Sequence, residues 1–206
     1  MADMSERATR FDRLYTGDID PWGFRSSAYE KEKYQATMLA LPRARYALAI
    51  EAGCSIGELT RLLSFRCDRI IGIDISSVAL DEATRRNADR PNIVFRRGEL
   101  PGAWPGENAA DLLVLSEVLY FLSPQEIEDL ADRIVANWCP GGHCVLVNYL
   151  GPTAEALQGS EAANLFISCM KARTGIRHDA VATAEHYRLD VLERCAVTGA
   201  EQGINP

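Results

Sequence analysis

The 206-residue sequence contains no stretch approaching the roughly 18 apolar residues that a membrane-spanning helix needs. Its opening residues, MADMSERATRFDR, lack the apolar centre of a secretory signal, so the chain is expected to act in the cytoplasm and away from membranes. Excess positive charge is missing as well. Lys and Arg number 22 against 29 Asp and Glu, and the resulting net charge of −7 repels a polyphosphate backbone, which makes nucleic acid a poor partner. Six cysteines are present (Cys54, Cys67, Cys139, Cys144, Cys169 and Cys195), but no C-x-x-C pair and no His at ligand spacing. That pattern argues against a zinc site and against a secreted disulfide framework, so the cysteines read as reduced, mostly buried small hydrophobes. There is also no repeat, low-complexity tract or Pro/Gly/Ser linker, and 206 residues with 47% hydrophobic content fit one domain with at most a short appendage.

What is present is alternation. Short apolar runs of strand character fall at Tyr46–Ala52, Arg69–Asp74, Asn92–Arg96, Asp111–Ser116 and His143–Leu150. Helical patterns lie between them at Gly57–Phe65, Ser77–Ala88 and Pro124–Trp138, the last with Ser123 as N-cap and Pro124 in the first turn. Strand–helix–strand succession implies parallel pairing and right-handed crossovers, hence an open, doubly wound α/β sheet with its ligands beyond the carboxyl ends of the strands. A polar leader of helices and loops precedes the sheet and contains DPWGF at Asp20–Phe24 and YEKEKY at Tyr29–Tyr34. We expect residues 1–41 to form a helical cap or lid, 42–200 the α/β domain, and 201–206 a frayed tail. Glu161–Arg173 reads as a further helix, while Ala180–Ala196 fits either a two-stranded hairpin or one strand with a loop.

The chemistry concentrates where the first strand runs into Glu51-Ala52-Gly53-Cys54-Ser55-Ile56-Gly57 and the second ends at Ile71-Gly72-Ile73-Asp74-Ile75. This resembles the E/D-x-G-x-G-x-G signature of class I S-adenosylmethionine (SAM) methyltransferases. Gly53 permits a tight turn and a close backbone approach to a ligand, and a carboxylate at Asp74 can accept both hydroxyls of a ribose. A dinucleotide fingerprint fits less well. Gly53 and Gly57 are four apart, Ser55 stands where that fingerprint needs a bare backbone, and Glu51 repels a pyrophosphate while attracting a cationic amine and sulfonium. The resemblance implies a seven-stranded fold. It assigns Glu51, Gly53 and Gly57 to the methionine end of SAM and Asp74 to the ribose, with Cys54 and Ile75 as further cofactor contacts. Gly98, Glu99 and Leu100, after the third strand, would meet the adenine, with Ser116 beside the methyl group.

Asp111-Leu-Leu-Val-Leu-Ser-Glu117-Val-Leu-Tyr120 closes the fourth strand and Pro140-Gly141-Gly142-His143 opens the fifth. Together with DPWGF and YEKEKY, these segments resemble the NodS-like nodulation N-methyltransferases over roughly Asp20 to Leu150. The resemblance implies methyl transfer from SAM, giving S-adenosylhomocysteine, to the amine of an amino sugar or another small molecule. An amine attacks as the neutral base and becomes cationic, so a neighbouring carboxylate can orient it and take its proton. Glu117 is the candidate for that role, with Tyr120 three residues on. Trp22 is expected to close over the cofactor, and Tyr29, Asn148 and Tyr149 to touch the acceptor. No metal is expected, since methyl transfer does not require one and no carboxylates stand at octahedral-ligand spacing. Either a monomer or a homodimer is compatible with the sequence. Three alternatives stay open: O-methylation of a small metabolite, a nicotinamide-dependent oxidoreductase, and a SAM-binding protein without catalysis.

Overall fold

The computed structural model describes residues 5–106 and 109–196; the closing segment expected to fray lies outside them. The strands are β1 (Tyr46–Ala52), β2 (Cys67–Asp74), β3 (Ile93–Arg97), β4 (Ala110–Ser116), β5 (Trp138–Tyr149), β6 (Ile176–Thr183) and β7 (Tyr187–Arg194). They form one sheet in the order β3-β2-β1-β4-β5-β7-β6. Strands β1 to β5 pair in parallel, and β7 runs antiparallel between β5 and β6. Of the two readings of the carboxy-terminal segment the hairpin is therefore correct, and its second strand, not its first, joins the body of the sheet. Strand β5 starts five residues before the apolar run at His143, because Trp138 still pairs with Ala110 across an irregularity in the ladder.

Among the described residues six α-helices accompany the sheet: α1 (Glu6–Gly17), α2 (Ala28–Ala40), α3 (Glu58–Leu63), α4 (Ser77–Arg86), α5 (Pro124–Asn137) and α6 (Gly159–Arg173). Ser123 caps α5 in a reciprocal box with Glu126 and Pro124 sits in the first turn, as the local sequence dictates. Its Ile127, Leu130, Ala131 and Ile134 make a fully buried stripe at i, i+3, i+4 and i+7 against Leu113, Leu115 and Leu146 of the sheet. Burial of each of the larger side chains is worth about 1.5–3 kcal/mol. Helix α6 supplies Phe166, Ile167 and Met170 to the same layer, whereas Tyr34 of α2 and Leu59 and Leu63 of α3 cover the opposite face, over Ala49, Val114 and Val145. Helix α1 packs Phe11 and Tyr15 onto Ile56 and the first turn of α4. It lies above the carboxyl ends of β1 and β2, where a doubly wound sheet places its ligand.

Candidate active site

A cavity of about 630 Å³ opens at those strand ends, within the size range of small-molecule and cofactor sites. One end of it is made by the turns after β1 and β2. Gly53 and Gly57 have φ of 73° and 78°, and Ser55 between them has φ 50°, a left-handed conformation that costs a serine about 1–2 kcal/mol and explains why a glycine is usual there. A side chain at Gly53 would press on Val118 at 3.2 Å. Asp74 is buried at the end of β2, and its carboxylate accepts the N–H of Ser55 at 2.8 Å and of Ser76 at 2.9 Å. It thus braces both turns. Burial pushes its carboxyl above the ordinary range even though these N–H groups favour the anion. The hydroxyls of Ser55 and Tyr15 meet at 2.5 Å, which ties α1 to the loop.

Glu51 lies beneath this loop, 2% exposed, with Oε2 lacking any hydrogen-bond partner. Burial raises its carboxyl to about 8. A buried carboxylate with an open oxygen in a ligand cavity is suited to a cation, which would supply the missing partner. Cys54, also in the lining, is a buried thiol pushed up by the same desolvation. Ile75, Gly98, Glu99, Leu100 and Ser116 all line the cavity. The Glu99 side chain is engaged elsewhere, however, accepting from Arg7 of α1 at 3.0 Å, while a second arm of Arg7 reaches Glu126. The Glu99 side chain, in a residue expected to meet the adenine, is therefore committed to this ion pair. Trp22, 43% exposed, stands in an aromatic group with Tyr15 and Phe24 over the opening.

The other end is organised around Glu117. This residue follows β4 with φ 56°, a second strained position of the kind that clusters at functional sites. Its Oε1 accepts Lys33 Nζ at 2.9 Å; its Oε2 accepts the Tyr120 hydroxyl at 3.0 Å and the Tyr149 N–H at 2.8 Å. Lys33 also donates to Glu30 at 2.9 Å, and both are almost completely buried. Burial and the adjacent Glu117 push the Tyr120 hydroxyl far above the ordinary phenol, so it acts as a donor. Tyr29 lies with its ring 5.1 Å from Lys33 Nζ, and Tyr149 completes the wall.

Glu117, Tyr120, Tyr29 and Tyr149, named from the sequence, thus converge. Asn148 does not join them: neighbours along β5 face opposite ways, so with Tyr149 in the cavity wall Asn148 is fully buried toward Gly159 of α6, with both amide atoms unpartnered. Sequence reasoning missed Glu30 and Lys33. The signal was available, because the spacing 30, 33, 34, 37, which begins in YEKEKY and ends at Thr37, is one helical stripe, and that stripe is the buried face of α2. Tyr15, Arg7 and Arg10, from a stretch of α1 that carries no motif, also line the cavity. Among the described residues no group of three or more His, Cys, Asp or Glu is arranged to hold a metal ion.

Sheet order and the site beyond its strand ends define a Rossmann-like methyltransferase fold. A structure of N-methyltransferase NodS from Bradyrhizobium japonicum WM9 in complex with S-adenosyl-l-homocysteine matches it with a TM-score of 0.75 at 20% identity, covering 92% of this chain and 99% of that one. The family model for Nodulation protein S (NodS) matches residues 13–146, and the chain belongs to that family. Nodulation protein S of Rhizobium tropici is 31% identical over 154 residues, 68% of this chain and 64% of that protein. Phosphoethanolamine N-methyltransferase 1 of Triticum aestivum is 27% identical over 122 residues, 58% of this chain and 24% of the wheat protein. The matched region thus spans just under two thirds of the Rhizobium protein and about a quarter of the wheat enzyme.

Proposed function

We propose that this protein is a SAM-dependent methyltransferase that methylates the amine of a small molecule, with an amino sugar or amino glycoside as the favoured acceptor. The observation that carries the reading is the buried Glu51, with one oxygen unpartnered, beneath a glycine turn braced by Asp74. That arrangement suits a positively charged, phosphate-free nucleoside. When bound, SAM supplies a methyl group on a sulfonium. Glu51, Gly53, Cys54 and Gly57 would hold its amino-acid end, Asp74 and Ile75 the ribose, and Gly98, Leu100 and the backbone of Glu99 the adenine, with Ser116 alongside and Trp22 closing the opening. Asp74 keeps acceptor capacity for ribose hydroxyls after its two N–H bonds, since an ionised carboxylate offers about four lone-pair directions.

At the far end Glu117 and Tyr120 would orient the acceptor nitrogen between Tyr29 and Tyr149, rings whose faces favour a cationic amine. Support for an amine over a hydroxyl acceptor comes from this net-negative, tyrosine-lined wall and from the N-methyltransferases among the relatives. Positioning in a water-poor cavity supplies most of the rate, because an in-line displacement needs the lone pair held opposite the bond that breaks. The test is to incubate the protein with methyl-labelled SAM and glucosamine, de-N-acetylated chito-oligosaccharides and phosphoethanolamine, scoring labelled N-methyl product and S-adenosylhomocysteine. Transfer to the sugar amines is expected. Exclusive transfer to phosphoethanolamine would replace the acceptor class, and calorimetric silence with both SAM and S-adenosylhomocysteine would remove the activity altogether.

A further inference from the structure

The acceptor end carries an uneven charge count. Glu30 and Glu117 share the single ammonium of Lys33, all three joined by 2.9 Å contacts. Glu30 is 5% exposed, and its Oε2 has no partner. A buried negative charge left over in this way is costly unless a proton or a second cation joins it. Glu117, by contrast, already accepts from Lys33, Tyr120 and the Tyr149 backbone. Both of its oxygens are met by donors, which leaves Glu30 Oε2 as the open acceptor of the cluster.

We infer that Glu30 is the terminal proton acceptor of the reaction, receiving through Glu117 and Lys33 the proton that the bound acceptor ammonium must shed before its nitrogen can attack. This rests on the amine methylation proposed above. Loss of one proton from the acceptor ammonium frees the nitrogen lone pair, which forms the new N–C bond while the C–S pair returns to sulfur as a neutral thioether; the product leaves as an ammonium, and the proton to be placed is the one lost before attack. That proton passes to Glu117. Lys33 hands one of its own protons to Glu30 Oε1 and takes the one from Glu117, so Lys33 and Glu117 end as they began and Glu30 ends neutral. Burial already lifts the Glu30 carboxyl above its ordinary range despite the pull of Lys33. The other titratable groups facing this cluster are Tyr29 and Tyr34 on the same helix, Asp20 in the preceding loop, and Glu117 with Tyr120 after β4. Glu117 and Asp20 raise Glu30 further. The tyrosines are all pushed upward, which leaves them un-ionised and out of the exchange.

The variant to compare is Glu30→Gln, which keeps an acceptor for Lys33 and removes the place for the proton. With glucosamine and de-N-acetylated chitotriose as probes, kcat is expected to fall about 100-fold with the KM for the acceptor unchanged. The acid limb of the kcat profile, which in the native protein reflects Glu30 losing its proton as pH rises, should disappear, and Glu30→Asp should restore part of the rate. Thermal stability should hold or rise, because Gln removes the uncompensated charge; a residue serving only structure would show a loss. A second arm needs no acceptor: infrared titration of the full chain between roughly pH 5 and 9 should show a carboxylic C=O band in the native protein that Glu30→Gln lacks. Native rate and pH profile in Glu30→Gln, or identical titrations of the two proteins, would overturn the assignment. Should the native protein methylate neither probe, the amine reading fails by itself and the infrared comparison still decides whether Glu30 holds a proton.

Discussion

The two ends of the cavity hold their carboxylates by different means. At the glycine-loop end Asp74 is fixed by backbone N–H groups and Glu51 is buried with Oε2 unpartnered, so the shape there belongs to the main chain. Glu30 and Glu117, at the other end, are fixed chiefly by one lysine and one tyrosine, so the arrangement belongs to side chains and is open to exchange. A backbone-built site suits a ligand that never changes. A side-chain-built site suits an acceptor that differs among relatives, and the difference can be tested by removing the holding group at each end.

Lys33→Met should give the largest effect. It strands the buried carboxylate of Glu30 and the half-buried one of Glu117 and is expected to cost about 3–5 kcal/mol, seen as a melting temperature lower by roughly 10 °C. Next comes Glu51→Gln. Because the folded carboxyl is raised to about 8 from an ordinary value near 4.5, the unfolded chain sheds this proton first. Native stability should therefore decline from about pH 5 to pH 8, by about 2–4 kcal/mol, and Glu51→Gln should abolish that decline in pH-dependent denaturation. Asp74→Asn should weaken SAM and S-adenosylhomocysteine binding about 10- to 100-fold by calorimetry, the worth of charge-assisted bonds to the ribose, while leaving the Lys33 cluster and its stability contribution unaltered. Equal sensitivity of SAM affinity to Lys33→Met and Asp74→Asn would break the distinction between the ends. The smallest effect is expected outside both, where Asn148→Leu replaces an unpartnered buried amide and should raise stability by about 1 kcal/mol, a gain of a few degrees in melting temperature.

Which parts were legible in the sequence follows from the same contrast. Backbone-built features announce themselves locally: a glycine at a left-handed turn, an acidic residue at a strand end, a Ser-Pro-x-Glu helix start. Gly53, Gly57, Asp74 and the start of α5 were accordingly read from the sequence alone. The side-chain network was half legible. Glu117 and Tyr120 stood out because they end a strand, whereas Glu30 and Lys33 lie in a charged helix whose charges ordinarily face water, and only the stripe at 30, 33, 34 and 37 betrays their burial. Asn148 misled because a strand end suggests the site without saying which of two adjacent residues faces it. The hairpin stayed ambiguous for a related reason: the order of β6 and β7 in the sheet depends on pairing across β5, which no local pattern encodes.

Asp74 bridges the turn that follows β1 and the turn that follows β2 through two of its bonds. The proposed ribose anchor and the clamp that shapes the glycine loop are thus one side chain. Retuning the protein toward a phosphate-bearing nucleotide by replacing that residue would loosen the loop before it welcomed the new ligand, so an engineer would have to begin at Ser55 and Glu51 and leave the keystone in place.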